Sequence, residues 1–116
     1  MEEGEDSCIE NIAELSPRCE KSYKKLSKKA DPKLLKAINN CIDELEENPE
    51  LGKELTQDLK GMRTIRMNAF HYRIIYEVVK GNPTNKIIVH IIAHRKNVYD
   101  EMAKYFGVGF YADSNL

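Results

Sequence analysis

The sequence contains no tryptophan, few cysteines and no long apolar run. A membrane helix needs about 20 apolar residues in succession, whereas the longest run here, IIVHIIA at 87–93, is far shorter and includes a histidine. The N-terminal stretch MEEGEDSCIE is acidic, whereas a secretory signal starts with basic residues and continues with apolar ones. We therefore expect a cytoplasmic protein without a membrane segment.

The cysteines and histidines lack the spacing of a metal site. The cysteines number three and form no CxxC pair, which indicates reduced thiols that pack as small hydrophobic side chains. His71, His90 and His94 do not form a ligand set at a recognised spacing. The sequence therefore predicts no metal and no cofactor.

Charge is divided unevenly along the chain. The formal net charge is −1, yet residues 1–52 carry 8 Lys/Arg and 13 Asp/Glu, whereas residues 53–105 carry 10 and 5. The second half thus has the excess positive charge that a surface facing a polyanion requires.

A length of 116 residues with 41% hydrophobic residues indicates one domain with a single core. We expect an acidic flexible leader over residues 1–8, the domain over 9–106, and a tail over 107–116 without periodicity.

Helix signals follow a weakly alternating first strand at 9–15. Ser16 and Pro17 form an N-cap and first helical position, and the same signal recurs at Asp31 and Pro32. The lysines of the first helix are expected on its solvated side. The short joint between the two helices predicts an antiparallel hairpin.

Three further strands are predicted over MRTIRM at 62–67, FHYRIIYEVV at 70–79 and KIIVHIIA at 86–93, and residues 50–61 are interpreted as a loop or single turn. Residues 97–106 are compatible with a short C-terminal helix. The expected fold is α+β: an N-terminal strand, a helical hairpin, and a three-stranded antiparallel meander in one sheet with the helices on one face. The opposite face is expected to be open to solvent or to a ligand.

Alternation along the strands sorts the polar side chains onto that open face. The residues of strand 70–79 expected against the helices are Phe70, Tyr72, Ile74, Tyr76 and Val78. His71 and Arg73 then lie on the open face, and Arg66 joins them if Ile65 faces the core. Parity does not decide the orientation of strand 86–93, because both of its faces are apolar.

The open face thus gathers Arg66, Arg73 and His71, with His94, Arg95 and Tyr99 near its rim. Converging cations with few carboxylates predict an anionic ligand, because a guanidinium donates two parallel hydrogen bonds to phosphate. The alternative for Arg73 is structural, either pairing with Glu77 or covering apolar surface with its stem. For His90, we expect a satisfied, half-buried histidine.

Three motifs in the second half of the chain carry a family resemblance. They are LKG followed by RTIR, the strand YRIIY, and a last strand that runs into HRKNVY. In this order, behind two helices, they resemble the RelE/ParE toxin superfamily of toxin–antitoxin systems, over roughly residues 9–105. One departure is Thr64, which stands where the superfamily often has a lysine.

The resemblance implies an endoribonuclease that enters the ribosomal A site and cuts mRNA by attack of a ribose 2′-OH on its own 3′ phosphate. It implies that Arg73 stabilises the phosphate, that Arg66 contacts phosphate or transfers a proton, and that Tyr99 stacks on the nucleotide. Arg95 corresponds to the basic residue after the last strand, and His94 is the side chain suited to general acid–base work at neutral pH. The residues expected to contact RNA or the ribosome are Lys60, Arg63 and His71.

Two other functions stay open on the same fold. One is a non-enzymatic toxin like the ParE branch, which poisons DNA gyrase, and the other is an interaction module without toxicity. In each case the resemblance implies a cognate antitoxin as partner in a hetero-oligomer, commonly with an acidic toxin-binding segment that the basic half complements.

Overall fold

The computed structural model describes residues 10–55, 61–67, 69–81 and 83–106. It confirms the α+β fold, with five strands in one sheet and three helices. The expected leader (1–8) and tail (107–116) lie entirely outside the described residues. The elements in chain order are β1 (Glu10–Leu15), α1 (Pro17–Lys29), α2 (Pro32–Glu47), β2 (Lys53–Glu54), β3 (Met62–Arg66), β4 (Tyr72–Val79), β5 (Thr84–His94) and α3 (Val98–Phe106).

Both helices of the hairpin begin where their caps predict. The Ser16 hydroxyl accepts a hydrogen bond from the backbone N–H of Cys19 at 3.2 Å, and the Asp31 carboxylate accepts one from Lys33 N–H at 2.9 Å. Each cap satisfies a backbone donor that a helix start leaves unpaired, and each is followed by proline at the first helical position.

The strands lie in the order β1-β5-β4-β3-β2. β1 is parallel to β5, and the remaining neighbours are antiparallel. The loop interpretation of residues 50–61 is wrong at one point, because Lys53 and Glu54 form a short strand paired with Thr64 and Arg63. Two residues are too few to show any periodicity in the sequence.

The main core lies between the sheet and the α1–α2 hairpin, on what we call the hairpin face. Tyr72, Ile74, Tyr76 and Val78 contribute to it, as alternation predicts. Phe70 does not, because β4 begins only at Tyr72 and Phe70 lies in the preceding turn, 38% exposed and with φ of 65°. The fully or largely buried members of this core are Cys19, Leu34, Ile38, Cys41, Leu45, Met67, Ile74, Tyr76, Ile87 and Val89.

The opposite face of the sheet is not open along its length, contrary to expectation. α3 covers part of it with Val98 and Met102, which are 1% and 0% exposed and pack on Ile75, Ile91 and Ala93. We call this side the α3 face. A second, smaller core therefore forms there, and the polar residues of this face are confined to the part that α3 leaves uncovered.

A register shift in β5 explains why its apolar residues serve both faces. Ile75 pairs with Ile91, but the next residue, Tyr76, pairs with Val89, so His90 is an additional residue in β5. Such a β-bulge changes which residues face each side. Val89 consequently belongs to the hairpin-face core, whereas Ile91 belongs to the α3-face core.

Tyr76 ties the chain that follows α2 to the centre of the sheet. Its buried hydroxyl donates to the carbonyl of Pro49 at 2.7 Å and accepts from Gly52 N–H at 2.8 Å. A Cβ atom at position 52 would lie 2.6 Å from this hydroxyl oxygen, so only glycine allows the approach. The tether determines where β2 begins.

Replacing Tyr76 with phenylalanine is expected to lower the free energy of unfolding by about 1–3 kcal/mol, because two backbone groups then lose a buried partner. Urea unfolding measures the change. Tyr23→Phe is the matched control, because its hydroxyl makes only an exposed contact of 3.5 Å to Asn39. Equal stability of both variants would contradict the tether.

The buried thiols are expected to be unreactive in the folded chain. Burial raises the pKa of Cys19 to about 12, and burial together with Glu44 raises that of Cys41 to about 11. At pH 8 the thiolate fractions are then roughly 100-fold or more below that of an ordinary thiol. Alkylation of a Cys8→Ser variant should therefore be slow until denaturant is added.

The raised pKa values of Cys19 and Cys41 also make the stability of the fold depend on pH. A thiol that holds its proton more tightly when folded stabilises the fold fully below about pH 9, the ordinary pKa of a thiol. That contribution is lost as pH rises toward the folded values. Rapid labelling without denaturant would contradict the burial of these side chains.

Candidate functional site

Two arginines lie directly opposite each other in the sheet. Arg66 at the end of β3 and Arg73 near the start of β4 are partners in the antiparallel register, so their side chains share the α3 face. The predicted neighbourhood of these residues is confirmed. Like charges in directly opposed positions oppose pairing, so this part of the sheet retains them at a cost in stability.

The electrostatics of Arg73 reflect this crowding. Burial lowers the pKa of its guanidinium, the adjacent Arg66 lowers it further, and Arg95 acts in the same direction, whereas Tyr99 opposes them. We call Arg66, Arg73 and Arg95 the guanidinium cluster. Within the described ranges no carboxylate forms an ion pair with any of its members.

Arg73 does not form the ion pair with Glu77 that was one structural alternative for this residue. That carboxylate instead accepts a hydrogen bond from His90 Nε2 at 3.0 Å, and His90 Nδ1 lies 3.2 Å from the hydroxyl of Tyr105. His90 is thus a satisfied, half-buried histidine, as expected. Arg73 Nε is buried and has no hydrogen-bond partner among the described residues, and neither has Thr64 Oγ1. An anion would both accept a hydrogen bond from this buried donor and compensate the neighbouring positive charges.

α3 brings Tyr99 to the guanidinium cluster. Tyr99 lies in the first turn of this helix and packs at the edge of the α3-face core, close enough to Arg73 to affect its pKa. Because Val98 and Met102 anchor the helix, the aromatic ring is held beside the cations on a rigid element rather than on a loop.

His94 is placed on the other side of the sheet from the cluster. It is the register partner of Tyr72, whose ring centroid lies 5.6 Å from that of His94, and therefore shares the hairpin face. Partial desolvation first, and then the charges of Lys96, His71 and Arg95, lower the pKa of His94. The ring lines a cleft of about 320 Å³ between α1, β5 and α3.

His71 does not lie on the face of Arg73, contrary to the prediction from alternation, because it precedes β4; it lies at the end of the sheet beside His94 and the backbone of Arg95. It lies in the β3–β4 turn with φ of 57°, a left-handed conformation that is uncommon for residues other than glycine. Its carbonyl accepts from Arg95 N–H at 2.8 Å, and its ring centroid is 6.2 Å from that of His94. The turn is thereby joined to the end of β5.

Of the other two predicted RNA contacts, only Arg63 is among the described residues, and it does not lie in the cluster. Arg63 pairs with Tyr76 in the register and therefore faces the hairpin, where its guanidinium donates to the carbonyl of Gly52 at 2.7 Å. Lys60 lies outside the described residues.

Lys53 is a further cation of this face, and no pattern in the sequence predicts its position. As the register partner of Thr64, it shares the face of Arg66 and Arg73, and the four residues line a common cavity of about 440 Å³. A strand of two residues carries no sequence signal that would have placed Lys53 here. The remaining residues that line the cavity are Glu44, Leu51, Gly52 and Ile65.

Two absences hold within residues 10–55, 61–67, 69–81 and 83–106, which the structure describes. There, no three His, Cys, Asp or Glu side chains come together in a way that could hold a metal ion. No helix among the described elements has the length and apolar character needed to cross a bilayer.

Comparison with known protein families identifies the chain. A model of the ParE toxin of type II toxin–antitoxin systems (parDE) matches residues 13–99, most of the chain's length. The chain therefore belongs to this toxin family, within the RelE/ParE superfamily that its motifs resemble. No curated protein sequence matches it.

Solved structures share the fold at low sequence identity. A YoeB/ParE toxin from Agrobacterium tumefaciens superimposes with a TM-score of 0.62 at 18% identity, covering 72% of this chain and 98% of that one. A mutant RelE toxin from E. coli in the free state gives 0.62 at 12% identity, covering 83% and 94%. The toxin–antitoxin complex RelBE2 from Mycobacterium tuberculosis gives 0.58 at 19%, covering 75% and 100%.

Removing one charge of the opposed pair is expected to stabilise the fold. Arg66→Gln should raise the free energy of unfolding by about 0.2–1 kcal/mol, because it relieves cross-strand repulsion, and the gain should shrink at high salt. Lys86→Gln is the control, because Lys86 lies 3.8 Å from Glu14 in an exposed pair and should give no gain. A destabilised Arg66→Gln variant would contradict the repulsion.

Proposed function

We propose that this toxin is a ribosome-dependent endonuclease that cleaves mRNA in the ribosomal A site. The reaction is attack of a ribose 2′-OH on the adjacent 3′ phosphate, which leaves a cyclic phosphate and a 5′-OH. It requires a proton acceptor for the 2′-OH, positive charge on the crowded phosphate, and a proton donor for the leaving 5′ oxygen.

The observation that carries this proposal is the guanidinium cluster beside Tyr99. In the proposed mechanism Arg73 binds the scissile phosphate, with its Nε as one donor, and Arg66 and Arg95 compensate the charge that develops on the phosphate oxygens. Tyr99 stacks on or orients the nucleotide, because α3 holds it next to Arg73. Such preorganised charge is the largest contribution that a protein makes to phosphoryl chemistry.

His94 is the proposed proton-transfer group, with Arg66 as the alternative. Its lowered pKa favours the neutral imidazole at neutral pH, the form that a general base needs. Its ring lies on the opposite face from Arg73, although at the same end of the sheet. In this proposal the RNA strand therefore passes around the end of the sheet near His71, so that its 2′-OH reaches the imidazole of His94. Arg66 lies on the face of Arg73 and needs no such passage.

We further propose that a cognate antitoxin binds this chain in a hetero-oligomer. Similar folds have been solved with such partners, namely an E. coli RelE toxin with a peptide of its antitoxin and the RelBE2 complex. An acidic segment of the antitoxin would complement the excess positive charge of residues 53–105. The proposed site of action is the cytoplasm, where ribosomes translate.

The family match supports a second candidate function. Because the matching family model is that of ParE, a toxin that inhibits DNA gyrase without catalysis stands as the alternative. The convergence of three arginines and a tyrosine favours the nuclease, since an inhibitor that performs no chemistry does not require unpaired cations around one buried donor.

Replacement of Arg73 with alanine is expected to abolish toxicity without unfolding the chain. Loss of its phosphate contact should cost on the order of 2–4 kcal/mol of transition-state stabilisation, as for an oxyanion donor. Expression of the chain alone, followed by mapping of mRNA 5′ ends, measures the effect, and Lys36→Ala on the exposed side of α2 is the control. Circular dichroism verifies the fold of both variants.

The same experiment separates the two functions. Cuts at in-frame positions of translated messages, absent in Arg73→Ala, support the nuclease. Cell filamentation and DNA damage with intact messages would instead identify the gyrase inhibitor and overturn the proposal.

A further inference from the structure

Lys53 and Thr64 occupy a second row of polar residues beside the arginine pair. Lys53 pairs with Thr64 across β2 and β3, just as Arg66 pairs with Arg73 across β3 and β4. Thr64 and Arg66 are two residues apart on β3, so both rows face the same side about 6.6 Å from each other along the strand. Successive phosphates of an extended RNA strand are separated by a comparable step.

Each row contains one buried polar group that lacks a hydrogen-bond partner among the described residues. Thr64 is only 8% exposed, yet its Oγ1 has no hydrogen-bond partner among the described residues. The same holds for the buried Nε of Arg73, and both residues line the 440 Å³ cavity. Buried polar groups without partners are uncommon in folded proteins, so two residues that carry such groups and line one cavity point to a ligand.

The charge of this cavity defines the chemistry of the ligand. Lys53, Arg66 and Arg73 line it against a single carboxylate, Glu44, which extends from α2. Leu51 adds an apolar side chain, 46% exposed, at the same wall. Three cations, a hydroxyl and an exposed apolar surface match a phosphodiester with its ribose or base.

β2 holds Lys53 in place despite its short length. Gly52, immediately before it, donates its N–H to Tyr76 Oη at 2.8 Å and accepts from Arg63 Nη1 at 2.7 Å. Leu55, shortly after it, donates its N–H to the carbonyl of Met62 at 2.9 Å. The backbone on both sides of Lys53 is therefore anchored to the sheet.

We propose that Lys53 and Thr64 form a second phosphate subsite, which binds the phosphate next to the one held by Arg73 in a single-stranded RNA. This subsite rests on the proposed nuclease function and extends it from one phosphate to two. Lys53 neutralises the flanking phosphate, and the Thr64 hydroxyl donates to one of its oxygens. The subsite thereby fixes the position of the RNA strand along β3.

Binding of a short single-stranded RNA to the full-length chain tests the subsite first. Each phosphate contact contributes about −0.7 to the slope of log K against log salt for single strands. Lys53→Gln should therefore flatten the slope by about 0.7, whereas Lys36→Gln should leave it unchanged. An unchanged slope in Lys53→Gln overturns the subsite.

Thr64 variants distinguish a binding role from a structural one. Thr64→Val keeps the shape but removes an unpaired buried hydroxyl, so its melting temperature should equal or exceed that of the original chain. Its RNA affinity should nevertheless fall, while Thr64→Ser retains affinity. Loss of stability in Thr64→Val with unchanged affinity would show a structural hydroxyl and contradict the proposal.

Cleavage on programmed ribosomes then locates the contacted phosphate. Messages carry one uncharged methylphosphonate linkage on either side of the scissile phosphate. Lys53→Gln should slow cleavage of the native message about tenfold, the effect of losing one hydrogen bond to a charged group. On the message in which the contacted flanking linkage is uncharged, Lys53→Gln should slow cleavage little further, because both changes remove the same contact.

The outcomes separate this subsite from the proposed function. If Lys53→Gln slows cleavage by the same factor on the native message and on each message with an uncharged linkage, the subsite is overturned but the nuclease function stands. A chain that binds RNA with a Lys53-dependent slope but never cuts it overturns the nuclease and retains the subsite. A chain that neither binds nor cuts RNA overturns both.

Discussion

The juxtaposition of Arg66 and Arg73 is the constraint on which the site depends. The β3–β4 register places the two guanidinium groups opposite each other on the α3 face, and no described carboxylate pairs with them. The packing of Ile74 and Ile75 into the two cores resists a slip of this register, since a shift by one residue would exchange the faces. The fold therefore supplies the free energy that holds the repelling charges together.

Two peripheral elements convert the arginine pair into a site. α3 covers the apolar part of its face and ends the exposed region at Tyr99, so the cations border an aromatic ring and a second core. β2, anchored through Tyr76, adds Lys53 on the opposite flank. Neither element contributes much of the main core, which lies on the hairpin face. The sheet and the hairpin thus position the arginine pair, and the two additions complete the proposed binding site.

Much of the fold follows from short-range signals. Ser16-Pro17 and Asp31-Pro32 begin the helices because a side-chain cap and a proline act within one turn, and alternation assigns Ile74 and Tyr76 to the core because the strand period is local. The neighbourhood of Arg66 and Arg73 also follows, since a hairpin pairs residues that are close in the chain. Alternation wrongly predicts Phe70 in the core, because the turn includes Phe70 and β4 begins only at Tyr72.

By itself the sequence determined the helices, the long strands, the α+β class and the arginine pair, because caps, periodicity and hairpins are local. Tertiary structure alone decided that α3 covers the second face, that His94 faces the hairpin, and that Lys53 joins the cations. Each of these depends on contacts between distant parts of the chain or on the bulge at His90, and no spacing within a single segment records such contacts.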